Sequence, residues 1–249
     1  MDREELPSFL VGVIVGRKIE GRPLKVAIDG RRGAGKTVLA DELAALIRAR
    51  GFQVLRPSVD GFHQPRERRY RQGEYSAQGY YEDAFNCEAV VEGLLAPLSG
   101  DVFPVNCREV SPDLRANLPS DAPPVRAGAE SILLFDGIFL FRRELNPWWD
   151  FRILVDVDSQ TALSRALVRD VEAIGPVDAI RRKYEVRYEP AWGIYCDAEQ
   201  PESKADVVVD NRDFARPGIL RPLSQPTGAS AAGRGSRPTV NSETGYSRG

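Results

Sequence analysis

The sequence contains few of the side chains that proteins use to bind transition metals or to form disulfides. Its 249 residues include one histidine, His63, and three cysteines, Cys87, Cys107 and Cys196. An odd number of widely separated cysteines without zinc-binding spacing predicts free thiols in a reducing compartment, so we expect a cytoplasmic protein. A single histidine excludes a histidine-rich metal site and makes a Ser-His-Asp triad depend on that one position.

Long apolar segments and a strong excess of one charge are also missing. The chain has no run of about 18 apolar residues, so no transmembrane helix is expected. The formal net charge is −2, and residues 1–5 lack the basic-then-apolar order of a signal peptide. We therefore expect a small-molecule substrate, and neither a nucleic acid nor a membrane as partner. The sequence leaves formation of a homo-oligomer open.

The order of apolar segments predicts an α/β fold of the P-loop NTPase type. This is a three-layer sandwich in which helices flank a mostly parallel sheet. Buried strands are predicted at residues 24–29, 53–59, 131–135, 151–157 and 205–209. Helices are predicted at residues 38–50, 86–95, 159–173 and 177–188, with Ser159 as the N-cap of the third. Residues 61–82 are expected to form a surface loop with short helical pieces, and residues 106–128 a long loop or irregular hairpin.

The composition changes near residue 222. From there to residue 249 the chain is rich in proline, glycine, serine and threonine, and it can bury little apolar surface. We predict one P-loop kinase domain over residues 1–221 and a disordered tail over residues 222–249.

A glycine-rich motif follows the first predicted strand. Residues 30–37 read Gly-Arg-Arg-Gly-Ala-Gly-Lys-Thr, which fits G-x-x-x-x-G-K-[ST]. The glycines let backbone N–H groups approach phosphate oxygens, Lys36 brings positive charge to them, and Thr37 offers a hydroxyl to Mg²⁺. The motif predicts binding of ATP with Mg²⁺, since the guanine-reading N-K-x-D of GTPases does not occur. The predicted ATP-binding residues here are Gly30, Arg31, Arg32, Gly33, Ala34, Gly35, Lys36, Thr37 and Val38.

Two aspartates, Asp60 and Asp136, end predicted strands, and each precedes a glycine. In an open parallel sheet, ligands bind beyond the carboxyl ends of the strands, so both carboxylates are expected beside the nucleotide. Asp136 is predicted to hold Mg²⁺ together with Thr37. Asp60 is predicted to accept the proton of an attacking hydroxyl, which a kinase needs and a simple ATPase does not. The alternative is that each Asp-Gly pair only forms a turn.

Four segments together resemble the uridine kinase family. They are Asp-Gly-Phe-His at residues 60–63, Tyr-Tyr-Glu-Asp-Ala-Phe-Asn at residues 80–86, Asp-Gly at residues 136–137, and Ser-Arg-Ala-Leu-Val-Arg-Asp at residues 164–170. The resemblance covers about residues 24–212, nearly the whole predicted domain. It implies ATP- and Mg²⁺-dependent phosphorylation of the 5′-hydroxyl of a nucleoside, with uridine or cytidine as the expected acceptor.

The resemblance also implies roles for single residues. Asp60 would be the base, Asp83 a ligand of the ribose hydroxyls, and Arg169 part of a lid formed by helices at about residues 159–190. Arg165 lies one helical turn before Arg169, so the two guanidiniums share a face and can neutralise phosphate charge. The predicted catalytic residues are Lys36, Asp60 and Arg169, and Arg165 joins the predicted ATP-binding set.

Two further residues, His63 and Tyr81, are candidates for contact with the acceptor. An unused histidine, or an aromatic residue that packs only within its own loop, is the alternative for each. The chain departs from the family pattern at Ala166, where the family has arginine, and at Asn86, where it has aspartate. Residues 105–108 match the family's base-recognition segment poorly.

Two other functions stay open at this point. The Asp-Gly-Phe pattern also occurs in the related pantothenate kinases, and a P-loop kinase can act on pantothenate or on a sugar. A nucleotide-binding regulator or assembly ATPase would need no acceptor, but Asp60 and the segment around Asp83 favour a kinase.

Overall fold

The strands form one main sheet and a separate hairpin. A computed structural model describes residues 1–108 and 124–221 of the chain. Within these residues the strands are β1 (Leu24–Asp29), β2 (Val54–Leu55), β3 (Val105–Cys107), β4 (Val125–Ala127), β5 (Ile132–Asp136), β6 (Phe151–Asp156), β7 (Val207–Asp210) and β8 (Gly218–Arg221). The main sheet has the order β2-β5-β1-β6-β7-β8, and only its β7–β8 pair is antiparallel. The predicted mostly parallel α/β sheet is confirmed.

Helices cover both faces of this sheet. The α-helices are α1 (Glu5–Gly16), α2 (Lys36–Ala49), α3 (Arg66–Arg69), α4 (Ala77–Asp83), α5 (Cys87–Val90), α6 (Ser159–Arg169), α7 (Val171–Ile174), α8 (Val177–Lys183), α9 (Glu189–Glu199) and α10 (Pro201–Lys204). One core cluster packs Ile28 of β1 against Leu10 of α1 and Leu43 of α2. The other packs Phe135 of β5 together with Tyr80 of α4 and with α9. The sheet is therefore the middle of three layers.

The second strand is much shorter than predicted. It contains only Val54 and Leu55, and the chain then forms a 3₁₀ turn at Val59–Phe62. Pro57 has no N–H to donate to the sheet, which explains why the strand cannot continue. The prediction that Asp60 directly follows a strand is wrong, although Ser58 makes one isolated parallel bridge to Asp136. That bridge keeps the turn beside the sheet.

The helices of the second half also differ from the prediction. Asp158, not Ser159, caps α6, because its Oδ1 accepts a hydrogen bond from the Thr161 N–H at 2.7 Å. The helix ends at Arg169 rather than near residue 173. The helix predicted for residues 177–188 continues, through a π-helical turn at Tyr184–Tyr188, into α9. Neither α1 nor β8 was predicted, since glycines in the former and a short apolar run in the latter weaken the periodic signal.

Two predictions fall partly or wholly outside the described residues. The ends of the predicted loop at residues 106–128 do form a hairpin, because β3 and β4 pair in antiparallel register. Residues 109–123 between them, and the tail at residues 222–249, are not described, so the predicted disorder of the tail stays a prediction. No helix within residues 1–108 and 124–221 is both long and apolar enough to span a bilayer.

Candidate functional site

The glycine-rich loop lies between β1 and α2 and leaves no room for a side chain at any of its three glycines. Gly33 and Gly35 have φ values of 79° and 91°, in the left-handed region that glycine tolerates best. A Cβ atom on Gly33 would lie 2.5 Å from the carbonyl oxygen of Ala162, and one on Gly35 would lie 2.6 Å from Nδ2 of Asn211. This tight backbone turn is what a phosphate-binding loop requires, so the residues present fit ATP.

A buried carboxylate fixes the start of the loop. Both oxygens of Asp29 accept hydrogen bonds: the N–H of Gly30 donates to one at 2.7 Å. The N–H groups of Leu140 and Phe141, at 3.1 and 3.3 Å, and the hydroxyl of Tyr195 donate to the other. Burial raises the pKa of Asp29 despite these hydrogen bonds. Asp29 thereby connects the first peptide of the loop to Tyr195 of α9, and no local sequence motif indicates this connection.

The side chain of Lys36 contacts the backbone of the glycine-rich loop itself. Lys36, the first residue of α2, donates from Nζ to the carbonyl oxygen of Arg31 at 2.9 Å. Burial lowers the pKa of Lys36 to about 8, although the carboxylates of Asp136, Asp29 and Asp60 act in the opposite direction. A phosphate that entered the loop would supply further negative charge and strengthen the charged form of this amine.

Thr37 and Asp136 form the corner predicted to hold Mg²⁺. Thr37 donates from its hydroxyl to Oδ2 of Asp136 at 2.7 Å. Arg56 was not predicted; it pairs with Oδ1 of the same carboxylate at 2.7 Å and with Asp41 at 2.9 Å. A hydroxyl and one carboxylate, completed by waters and phosphate oxygens, are donors that suit Mg²⁺, so these residues fit the ion. One sequence feature could have pointed to Arg56 as a site residue: it directly follows the apolar residues of β2.

Lys36, Thr37 and Asp136 line a single cavity of about 420 Å³ at the carboxyl ends of β1 and β5. Among the predicted site residues it is lined by Arg32, Gly33, Gly35, Lys36, Thr37, Val38, Asp60, Asp136 and Arg169. Among residues not predicted it is lined by Ser58, Tyr80, Gly137 and Ile138. The three predicted catalytic residues and the predicted metal pair therefore face the same space.

Two predicted ATP-binding arginines do not line that cavity. Arg31 turns to the other side of the loop and pairs with Glu189 at 2.8 Å. Arg165 donates to the carbonyl oxygen of Asn211 at 2.7 Å and to that of Gly33 at 3.4 Å. Its guanidinium therefore holds the loop backbone from behind. Arg165 and Arg169 belong to one helix but make different contacts, since Arg169 pairs with Asp170 at 2.6 Å.

Of the residues predicted to contact the acceptor, Asp60 lines the cavity, whereas His63, Tyr81 and Asp83 do not. Nδ1 of His63 is 2.9 Å from the carbonyl oxygen of Asp60, and burial lowers the pKa of this imidazole. The hydroxyl of Tyr81 donates to Glu199 at 3.4 Å, and its ring packs edge-on against Phe139. The neighbouring Tyr80 lines the cavity instead.

Asp83 is buried and already bound. It is 4% exposed, and its carboxylate accepts hydrogen bonds from Arg71, at 2.6 and 2.9 Å, and from Gln72 at 2.8 Å. Burial acts to raise the pKa of Asp83, but the hydrogen bonds and charge of Arg71 hold it below its ordinary value. The carboxylate is therefore ionised, and Arg71 and Gln72 already take most of its hydrogen-bonding capacity.

Comparison with known proteins places the chain near kinases. No family model matches the chain. Uridine-cytidine kinase B from Dictyostelium discoideum is 28% identical over 192 residues, which are 75% of this chain and 74% of that protein. A solved structure described as a possible uridine kinase from Bacillus stearothermophilus has a TM-score of 0.64 and 25% identity, covering 81% of this chain and 96% of the other.

A more distant structure shares the fold alone. It is D-glycerate 3-kinase from Cryptococcus neoformans, with a TM-score of 0.54 and 11% identity, covering 86% of this chain and 99% of the other. The resemblance to uridine kinases seen in the sequence motifs is thus confirmed over most of the domain. With the phosphate-binding loop, the similarity to kinases makes the chain a phosphotransferase that acts on an alcohol group.

Proposed function

We propose that this phosphotransferase transfers the γ-phosphoryl group of ATP, with Mg²⁺, to the 5′-hydroxyl of a ribonucleoside, with uridine or cytidine preferred to purines. The observation that carries the proposal is the single cavity in which Lys36, Thr37, Asp60, Asp136 and Arg169 meet. A nucleotide regulator or an assembly ATPase has no need of a carboxylate at the position of Asp60.

The donor half of the site would be built by the loop and the first turn of α2. Loop N–H groups and Lys36 bind phosphate oxygens, and the dipole of α2 favours their charge. Thr37 and Asp136 would hold Mg²⁺, which when bound neutralises charge on the phosphates. Catalysis in this class depends mainly on positioning and electrostatic stabilisation, and these residues supply both.

The acceptor half would centre on Asp60. Its carboxylate accepts the proton of the attacking hydroxyl, while Arg169 stabilises the charge on the phosphoryl group. Tyr80 offers an aromatic wall in the same cavity, and a base can stack on such a ring. We assign Asp83 to the 2′- and 3′-hydroxyls of the ribose, which would exchange with the hydrogen bonds that Arg71 and Gln72 now make.

The experiment that tests this function compares kcat/KM for uridine, 2′-deoxyuridine and pantothenate on the wild type and on Asp83→Ala. A lost hydrogen bond to a charged group costs about 1.5–3 kcal/mol, so uridine should exceed deoxyuridine by about 10- to 150-fold. Asp83→Ala should abolish that preference. Glu82→Ala is the matched control, since Glu82 is a neighbouring carboxylate that bonds to glutamine side chains at the surface.

A second acceptor class has one observation in its favour. The Asp83 carboxylate is already satisfied by Arg71 and Gln72, as a purely structural carboxylate would be. A kinase of pantothenate or of a sugar would have no need of a free ribose ligand there. Turnover of pantothenate or a sugar, without turnover of any nucleoside, would replace the nucleoside proposal with this one.

A further inference from the structure

Arg32, the third residue of the glycine-rich loop, occupies an unusual place. Its side chain lines the cavity, whereas the neighbouring Arg31 faces Glu189 outside it. The guanidinium carbon lies 4.6 Å from the centre of the Tyr188 ring, and a terminal nitrogen lies 3.4 Å from Oδ2 of Asp170. Arg32 thus lines the cavity and at the same time contacts the lid helices through Asp170 and Tyr188.

The contacts of Arg32 leave it capacity to bind something else. Its Nε is buried and has no hydrogen-bond partner within residues 1–108 and 124–221. The contact with Asp170 is long because that carboxylate is already held by Arg169, at 2.6 and 3.0 Å, and by the Tyr184 hydroxyl. A partly buried guanidinium with an unused Nε–H donor and a weak anionic partner is readily drawn to a stronger anion.

The charge of Arg32 reaches the acceptor side of the site. Arg32, Asp60 and Tyr80 line the same cavity. Asp60 is the proposed base, so a cation here lies near both the attacking hydroxyl and the phosphate end of the cavity. Charge on the transferring oxygens is stabilised best by donors that are already in place before the reaction.

Within the described residues, α6 supplies no cation other than Arg169 to the cavity. Ala166 is fully buried and packs against Ile180 and Tyr184, so that position brings no charge to the cavity. Arg165 is occupied by backbone carbonyl oxygens, among them that of Asn211. On α6 this leaves Arg169 as the arginine that lines the cavity.

We propose that Arg32 is a catalytic residue that binds the transferring phosphoryl group. On substrate binding its guanidinium would leave Asp170 and donate hydrogen bonds to the non-bridging oxygens of that group. The acceptor oxygen forms a bond to the γ-phosphorus, the bond from that phosphorus to the bridging oxygen of ADP breaks, and the acceptor proton passes to Asp60. Arg32 exchanges no proton and stabilises only the charge. The inference rests on phosphoryl transfer, as proposed above, but not on which acceptor is used.

A binding experiment tests Arg32 without any choice of acceptor. The affinity for ADP with Mg²⁺ is measured by calorimetry with and without aluminium fluoride, which mimics the phosphoryl group in flight. We expect aluminium fluoride to tighten ADP binding to the wild type at least about 10-fold, and Arg32→Ala to keep ADP affinity but lose that gain. Arg17→Ala is the control, since its guanidinium also lies over a ring, 4.7 Å from the centre of Phe151, and is outside the cavity.

A kinetic experiment gives the second measurement. With whichever alcohol the acceptor screen identifies, Arg32→Ala should lower kcat about 100- to 1,000-fold while the KM for ATP changes little. Arg32→Lys should recover part of kcat, since it keeps the charge and the contact with Tyr188 but loses the fork of donors. If Arg32→Ala does not fold, the Arg32→Lys variant still tests the proposal.

The outcomes separate the two proposals. Phosphorylation of pantothenate rather than a nucleoside would end the nucleoside proposal and leave the Arg32 test intact. A folded Arg32→Ala with wild-type kcat, or one that keeps the aluminium fluoride gain, would overturn the role given to Arg32. An equal loss in Arg17→Ala would overturn it as well, because the effect would then be one of stability.

Discussion

The two halves of the site are built in different ways. On the phosphate side, Lys36 and Thr37 begin the helix α2, and Asp136 ends the strand β5, which pairs with both β1 and β2. On the acceptor side, Asp60 lies in a single 3₁₀ turn, and Asp83 ends a short helix and depends on side-chain contacts. The phosphate side is therefore fixed by the fold, whereas the acceptor side is fixed by individual side chains and can change with few substitutions.

The salt bridges of the two halves show the same contrast. Asp136 is 2% exposed and is held by the hydroxyl of Thr37 and by Arg56, whose side chain is 13% exposed. Asp83 is held by Arg71, whose side chain is 59% exposed and is screened by water. Loss of a partner should therefore matter more for Asp136 than for Asp83.

The largest expected effect is on the phosphate side. Lys36→Ala should lower turnover by about 10³-fold or more, because this amine acts on phosphate charge that develops during transfer. The fold should survive, since Lys36 makes its described hydrogen bond only to a loop carbonyl. ADP release measures turnover and circular dichroism measures folding. Near-normal turnover in a folded variant would remove the phosphate-binding role of the loop.

The corresponding change on the acceptor side should be smaller. Asp60→Asn keeps the shape and removes the base, so turnover should fall about 10²- to 10⁴-fold with ATP affinity nearly kept. A loose transition state would put the loss at the lower end, since little proton transfer is then needed early. Asp136→Asn should instead raise the Mg²⁺ concentration needed for activity. If Asp60→Asn weakened only the response to Mg²⁺, the two roles would have to be exchanged.

A third test concerns the arginine beside the proposed magnesium ligand. Arg56→Gln removes a positive charge from Asp136, so the Mg²⁺ concentration for half-maximal activity should fall by about 3-fold, equivalent to about 0.7 kcal/mol. Arg56→Lys keeps the charge and should leave that concentration nearly unchanged. A higher Mg²⁺ requirement in Arg56→Gln would mean that Arg56 positions Asp136 rather than competing with the ion.

The smallest effect is expected from the exposed partner of Asp83. Arg71→Ala frees one side of that carboxylate, so the KM for the acceptor should fall by no more than about 3-fold, with the melting temperature nearly unchanged. Arg143→Ala is the control, because Arg143 is 86% exposed and pairs only loosely with Glu144. A large loss of stability in Arg71→Ala would show that Asp83 serves the fold and not the acceptor.

The same contrast explains what the sequence could predict. The strand that ends at Asp136 is a continuous apolar run, and the one that ends at Asp29 is interrupted only by Lys25. The loop motif is contiguous, so the positions of all three follow directly from the sequence pattern. Asp60 was expected at the end of a strand, but Pro57 ends that strand early and a turn carries the carboxylate. The sequence of a short segment does not show which of two neighbouring side chains faces a cavity. Tyr81 is therefore predicted from the sequence as an acceptor contact, whereas Tyr80 lines the cavity.

Contacts between distant parts of the chain were beyond prediction. Asp29 and Tyr195 lie 166 positions apart and meet through a hydrogen bond that no local motif announces. Arg56 reaches Asp136 across 80 positions in the same way. Such pairs depend on how helices and strands pack against each other, and this packing cannot be read directly from a single sequence.

The missing side chain of Gly33 has a consequence for how the site can open and close. Its α-carbon approaches the backbone of Ala162 so closely that an added methyl group would lie 2.5 Å from the carbonyl oxygen and 3.1 Å from the α-carbon. Backbone in such direct contact cannot slide, so the first turns of α6 should travel with the loop as one rigid body. Arg165 also holds the loop through the carbonyl oxygen of Gly33. A hinge for the end of the helix that carries Arg169 is therefore expected beyond Arg165, so that only the last turn swings over a bound nucleotide.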